Sequence, residues 1–235
     1  MKVDILAFGA HPDDVEISCG GIIMKNISLG KKVGIVDLTR GELGTRGSAA
    51  IRLKESADAA KITGVLFREN LKMEDGFLQN DKKHQIAVIK KIRQYKPDVI
   101  LANALEDRHP DHGRAAKLVA DASFFAGLRK IETKLNGKKQ EEWRPKVVYH
   151  YIQYRNLNPD FIVEITPFME KKMEAIKAFR SQFFNPNSKE PATFISSSRF
   201  LDDIYLKAEN HGRMINVKYA EGFNVAEEYR GEILI

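Results

Sequence analysis

Val3-Asp4-Ile5-Leu6-Ala7-Phe8-Gly9-Ala10-His11-Pro12-Asp13-Asp14 is the stretch on which the fold turns. Its first six residues form a short, β-rich apolar run, which reads as a buried strand. Gly9 ends the run, and one imidazole and two carboxylates follow at once. Such groups are seldom crowded at the mouth of a buried strand without a chemical use. About a hundred residues later the pattern returns as His109-Pro110-Asp111-His112, again after an apolar run, Val99-Ile100-Leu101-Ala102.

Working outward, strand-like and helix-like segments alternate. A helix with Ile17, Ile22, Ile23, Met24 and Ile27 as apolar positions ends near Leu29, before Gly30. Gly20-Gly21 leaves its start open. Val33–Leu38 reads as the second strand, followed by the loop Thr39–Gly47. Ser48 can cap a helix running to about Thr63. A third strand is expected at Val65-Leu66-Phe67, then a helix from Lys82 to Tyr95 that Lys96-Pro97 stops. Pro110 suits the first turn of a helix over Asp111–Phe125. In the second half, strands are expected at 146–152 and 161–165, and helices at 167–180 and 199–214. A long loop, 181–198, lies between the two helices; loops of that length often serve function.

This alternation argues for an α/β fold: a Rossmann-like, mostly parallel sheet with helices on both faces. No linker divides the chain, so 1–235 is read as a single domain. In such sheets ligands sit beyond the carboxyl ends of the strands, where both His-Pro motifs and the glycine-rich loop fall.

Composition narrows the class. The chain is 43% hydrophobic and 30% charged, ordinary for a globular protein with a full core. No apolar run approaches the roughly 20 residues of a membrane span, and Asp4 sits where a signal peptide would be apolar. The single cysteine, Cys19, permits no internal disulfide and is expected to be buried. Together these features suggest a cytoplasmic protein. The net charge of +6 permits nucleic-acid binding. However, the basic patch Arg129–Lys139 is interrupted by an acid and carries no aromatic residues for stacking, so it is read as a solvated loop or helix edge. Neither nucleic acid nor membrane is expected as a partner.

Two imidazoles and a carboxylate form a ligand set for catalytic zinc, and His11, Asp14 and His112 can supply it. Asp13 is then a spare carboxylate able to take a proton from metal-bound water. His109 is a spare imidazole, which Asp111 is placed to orient and whose protonated form its charge favours. For either motif alone, helix capping by Asp is the competing explanation. The occurrence of both motifs at two strand ends of one sheet favours a metal site. His150 and His211 lack a motif and are read as structural, and His84 as a surface residue.

On these residues the chain resembles the LmbE-like (PIG-L) zinc deacetylases, which cleave the N-acetyl group of N-acetylglucosamine conjugates. Ala10–Asp14 matches the family's first motif and His109–His112 its second. The resemblance implies one Zn2+ per chain, with His11, Asp14 and His112 as ligands and Asp13 as general base. It further implies that His109 stabilises the oxyanion or protonates the amine, and that the protein is a homo-oligomer, a hexamer being one form. In the second half the likeness is confined to Tyr219–Phe223. The loop Thr39–Gly47 resembles that of the bacillithiol-pathway deacetylases, which act on N-acetylglucosaminyl malate. It lacks the Gly-Lys-Ser/Thr ending of a phosphate-binding loop. The two carboxylates of malate favour arginine, and Arg46, Arg52 and Arg108 are the candidates. Two alternatives stand beside this one: a deacetylase of free or chitin-derived N-acetylglucosamine, and a non-catalytic nucleotide- or sugar-binding module of the same fold.

Overall fold

A computed structural model describes residues 1–225 and 235 of the chain. The opening apolar run becomes strand β1 (Ile5–Gly9), buried at every position. Helix α1 (Asp14–Ser28) leads to β2 (Val33–Thr39), and α2 (Ala49–Thr63) to β3 (Phe67–Met73). Helix α3 (Lys82–Tyr95) precedes β4 (Val99–Ala102), and α4 (Pro110–Ala126) follows it. Two-residue strands β5 (Lys134–Leu135) and β6 (Lys138–Lys139) then pair as a hairpin. That hairpin occupies the basic patch, where the sequence suggested a loop or helix edge. The order continues with β7 (Val147–Tyr151), β8 (Phe161–Glu164), α5 (Met169–Lys177), α6 (Ser198–Met214) and β9 (Ala220–Val225).

Seven strands form one sheet in the order β3-β2-β1-β4-β7-β9-β8. The first five in that order pair in parallel, while β9 runs antiparallel to both β7 and β8. The mostly parallel α/β sheet is therefore the architecture expected from the alternation. Side chains on β1 go alternately to its two faces, as strand geometry requires. Leu6 and Phe8 pack with Val88, Ile92, Leu118 and Val119 of α3 and α4, while Ile5 and Ala7 pack with Val15, Cys19, Ile22 and Ile23 of α1. Cys19 is buried, as expected. Among the described residues no helix is long and apolar enough to cross a membrane.

Strand β3 begins later and runs further than expected. Gly64, in the left-handed region, ends α2, and Val65 and Leu66 only connect it to the strand. The strand itself, Phe-Arg-Glu-Asn-Leu-Lys-Met, is polar because it is an edge. Its Arg68 nonetheless has a buried side chain, held by Asp37 of β2 through Nε and Nη2 at 2.8 Å each and by Glu16 of α1 through Nη1. Strand β9, not anticipated as a strand, is buried along most of its length.

Helix α1 is two helical pieces joined at Cys19, where φ is −140°. The break exposes backbone N–H groups that would otherwise bond within the helix. Gly21 and Ile22 donate theirs to the two carboxylate oxygens of Glu221 in β9, at 2.9 and 2.8 Å. Lys172 of α5, also buried, donates to Glu221 at 2.7 Å. Gly20-Gly21 is thus both inside the helix and at a start, which explains the ambiguity of the sequence.

Candidate functional site

The strand order reverses between β1 and β4, and the crevice at such a reversal is the usual ligand position in open α/β sheets. His11, Asp13 and Asp14 follow β1, while His109, Asp111 and His112 open α4 after β4. Asn103 links the two sides: its Oδ1 accepts from Ala10 N at 2.9 Å, and its Nδ2 donates to Asp14 Oδ2 at 3.0 Å. Gln153, beyond β7, donates to Asp14 Oδ1 at 3.2 Å and accepts from Asn103 and from Ala104 N. Asp14 also accepts from His11 N at 2.9 Å.

Three imidazoles converge, with ring centroids 4.5 Å apart for His11–His109, 5.3 Å for His11–His112 and 5.2 Å for His109–His112. Each ring offers a nitrogen within 4.8 Å of those of the other two. His112 Nδ1 is 2.6 Å from Asp107 Oδ2, which fixes the proton there and turns the Nε2 lone pair inward. That Nε2 faces Asp14 Oδ1 at 3.2 Å, and His11 Nδ1 lies 3.6 Å from Asp14 Oδ2. Facing lone pairs of this kind need a proton or a cation between them. His11 Nε2 is buried without a hydrogen bond, although Asp75 Oδ1 is 3.0 Å away. Burial disfavours charge on both rings, yet Asp14 and Asp75 raise the pKa of His11 to about 10. Asp14 and Asp107 likewise raise that of His112 to about 9. Burial also works against charge on Asp14, but His112 and His11 hold its carboxyl well below the usual range. The cluster demands positive charge, and its donors, two imidazoles and a carboxylate, suit a divalent metal.

His109 differs from the other two rings. It caps α4, its Nδ1 accepting from Asp111 N at 3.2 Å, so the neutral ring carries its proton on Nε2. A protonated Nε2 is a donor and not a ligand. Burial and the neighbouring His11 and His112 lower its pKa below the ordinary value. The Asp111 charge does favour the protonated ring, but burial and the two neighbouring imidazoles outweigh it, and Asp111 orients His109 through its backbone N–H. Its carboxylate accepts instead from Gly76 N at 2.7 Å and from Arg114 at 3.1 Å.

Asp13 occupies the N-cap position of α1 at φ 122° but caps nothing with its side chain. Its Oδ2 is 3.0 Å from Arg52 Nη2. Burial raises its pKa to about 7, against the pull of the Arg52 charge. Arg52 also donates to the carbonyls of Pro12 and Gly41. A Cβ on Gly41, at φ +64°, would overlap Arg52 Nη1, so this glycine makes room for the guanidinium. Gly41→Ala is therefore expected to push Arg52 off Asp13 and lower kcat by about 10²-fold at unchanged metal content. Steady-state kinetics with metal analysis check it, and wild-type kcat would show that Arg52 need not stay on Asp13.

A cavity of about 910 Å³ opens over this cluster. Arg52 and Arg108 line it, but the Arg52 guanidinium is taken up by Asp13 and by the carbonyls of Pro12 and Gly41, so the expectation that it binds malate is corrected. Arg46 does not line it, because its guanidinium is buried against Ser188 and Glu190, and the expectation that it contacts substrate is corrected. The second half supplies much of the wall, including Gln153, Tyr154, Phe194, Arg199 and Lys207. His211 also lines it, its pKa pushed to about 4 by burial and by Lys207 and Lys172. His150 is structural, its Nδ1 2.8 Å from Asn103 O. Asp75, Asn103, Asp107 and Gln153 are the site residues that sequence reasoning missed; each lies in a loop or just past a strand end, outside both His-Pro motifs.

Residues 6–123 match the family model described as PIG-L, GlcNAc-PI de-N-acetylase. The diacetylchitobiose deacetylase of Thermococcus kodakarensis is 30% identical over 193 residues, which is 76% of this chain and 70% of that protein. A conserved protein of Thermus thermophilus superposes with a TM-score of 0.86 at 32% identity, covering 98% of this chain and 97% of its own. The 4-carboxy-2-hydroxymuconate hydratase of Pseudomonas putida shares the fold at 22% identity, with a TM-score of 0.77 and both chains fully covered. That hydratase shows that the fold alone does not settle the reaction. The family match and the Thermococcus relative carry the assignment: this chain belongs to the PIG-L family and is a deacetylase of that family's type.

Proposed function

We propose that this protein removes the N-acetyl group from N-acetylglucosaminyl malate. The observation that carries the catalytic part is the divergence of two adjacent carboxylates. Asp14 is fastened by His11, Asn103, His112 and Gln153, whereas Asp13 is held by Arg52 alone among the described side chains. In this reading His11, Asp14 and His112 would hold the cation. Zn2+ bound there supplies a Lewis acid for the acetamide carbonyl and lowers the pKa of water. Asp13 takes the proton of the attacking water and, as the C–N bond breaks, returns it to the sugar nitrogen, giving acetate and the free amine. Arg52 keeps Asp13 aimed at that proton. His109 donates from Nε2 to the carbonyl oxygen as negative charge develops on it.

Malate as the aglycone is supported by the likeness of the Thr39–Gly47 loop to the bacillithiol-pathway enzymes and by the Arg108 guanidinium at the cavity mouth. The Thermococcus relative favours a second sugar there instead, for which the exposed rings of Tyr154 and Phe194 could form a stacking surface. Amine release from N-acetylglucosaminyl malate and from diacetylchitobiose separates the two. A kcat/KM at least about tenfold higher for the malate conjugate is expected, and equal or reversed values would overturn the aglycone assignment. The same reading takes residues 1–235 as one catalytic domain with one Zn2+, acting in the cytoplasm as a homo-oligomer.

A further inference from the structure

We propose that Arg108 and Arg199 together form a carboxylate-binding subsite at the cavity mouth, which selects a dicarboxylic aglycone. This rests on the reaction proposed above and names the residues that would choose its substrate. Both arginines line the cavity and both are exposed. The other cations of the wall are engaged: Arg52 with Asp13 at 3.0 Å, Lys172 with Glu221 at 2.7 Å and Arg155 with Glu106 at 3.7 Å. Lys207 is bound to the carbonyls of Gln153, Tyr154 and Arg155. Among the described residues no carboxylate lies within ion-pair distance of Arg108 or Arg199, so two guanidiniums at one opening are left for an anion brought from outside.

Arg108 flanks an aromatic cluster, and Arg199 precedes one of its members, Phe200, in the chain. Arg108 lies over the rings of Phe194 at 4.8 Å and Tyr154 at 5.8 Å, and among the described residues its guanidinium N–H groups have no hydrogen-bond partner. Phe194 meets Tyr154 at 5.0 Å and, on the other side, Phe200 at 5.6 Å, next to Arg199 in the chain. The ring of Phe194 is presented by a tight turn in the 181–198 segment, closed by Thr193 N to Ser196 Oγ at 2.8 Å and by Ser196 N to Thr193 O at 3.2 Å. Arg199 lies in the first turn of α6, which contains no acid. A cation there opposes the helix dipole, and an incoming carboxylate would relieve that opposition while accepting the forked N–H groups. Asp203, one turn further along α6, also lines the cavity. It leaves these three groups with a net charge of +1.

The test measures kcat and KM for the metal-loaded enzyme and for Arg199→Met, Arg199→Lys and Arg108→Met. The substrates are N-acetylglucosaminyl malate and its dimethyl ester. Wild type should prefer the diacid, and Arg199→Met should cut that preference about tenfold, mainly through KM, with Arg199→Lys between the two. Arg108→Met should act in the same direction. If wild type prefers the diacid and Arg199→Met keeps the full preference, the subsite is refuted while the malate assignment stands. If wild type does not distinguish diacid from ester, the aglycone assignment and the subsite fall together. Equal losses on both substrates would mark Arg199 as structural and also refute the subsite.

Discussion

Asp13→Asn should lower kcat by about 10²- to 10⁴-fold while the protein still binds its metal. The amide keeps the size of the side chain but cannot accept a proton. The ligand set is spared because Asp14, not Asp13, is tied to His112 and His11. Arg52 would lose its carboxylate partner at 3.0 Å, yet it keeps its bonds to the carbonyls of Pro12 and Gly41. KM should therefore move much less than kcat. The complementary variant, Asp14→Asn, should lose metal as well as activity. Metal analysis beside single-turnover kinetics distinguishes the two carboxylates, and an active, metal-replete Asp13→Asn enzyme would remove Asp13 from the proton transfer.

The largest effect on stability is expected away from the site. Arg68→Met leaves Glu16 and Asp37, both buried, without the guanidinium that binds them across α1, β2 and β3. Burial already raises the pKa of Glu16 with Arg68 in place, opposed by the arginine's charge. Removing one member of a buried ionic cluster typically costs about 3–5 kcal/mol, because the remaining charges stay desolvated. Urea denaturation should show that loss. The triple variant Arg68→Met/Asp37→Leu/Glu16→Leu should recover much of it, since no charge is then stranded. A wild-type midpoint for Arg68→Met alone would mean that water reaches the two acids.

What could be read in advance followed from how local each signal is. Strands β1 and β4 are short apolar runs covered on both faces, so their pattern needs no knowledge of distant residues. The His-Pro motifs were legible because chemically distinctive residues are adjacent in sequence. Strand β3 was misplaced because Arg68 and Glu69 look solvent-facing until Asp37, Glu16 and Tyr95 are brought beside them. Strand β9 is a similar case: Glu221 and Gly222 interrupt its apolar pattern, but one binds α1 and the other packs under His211. Asp107 and Gln153 gave no signal, since each acts on a residue that only the folded chain places within reach. The Arg46 expectation failed through the same non-locality, its partners Ser188 and Glu190 lying far along the chain.

The break in α1 bears on how the enzyme is made. The N–H groups freed at Gly21 and Ile22 have as acceptor a carboxylate synthesised some 200 residues later. A nascent chain that has completed β1, β4 and both His-Pro motifs already holds the candidate ligands, but the helix rising from Asp13 and Asp14 still lacks its mid-point clasp. Until β9 emerges and Lys172 accompanies Glu221 into the interior, that helix is free to fray from its second half. Maturation of the metal centre would then be a late event, governed by closure of the sheet and not by emergence of the motif itself.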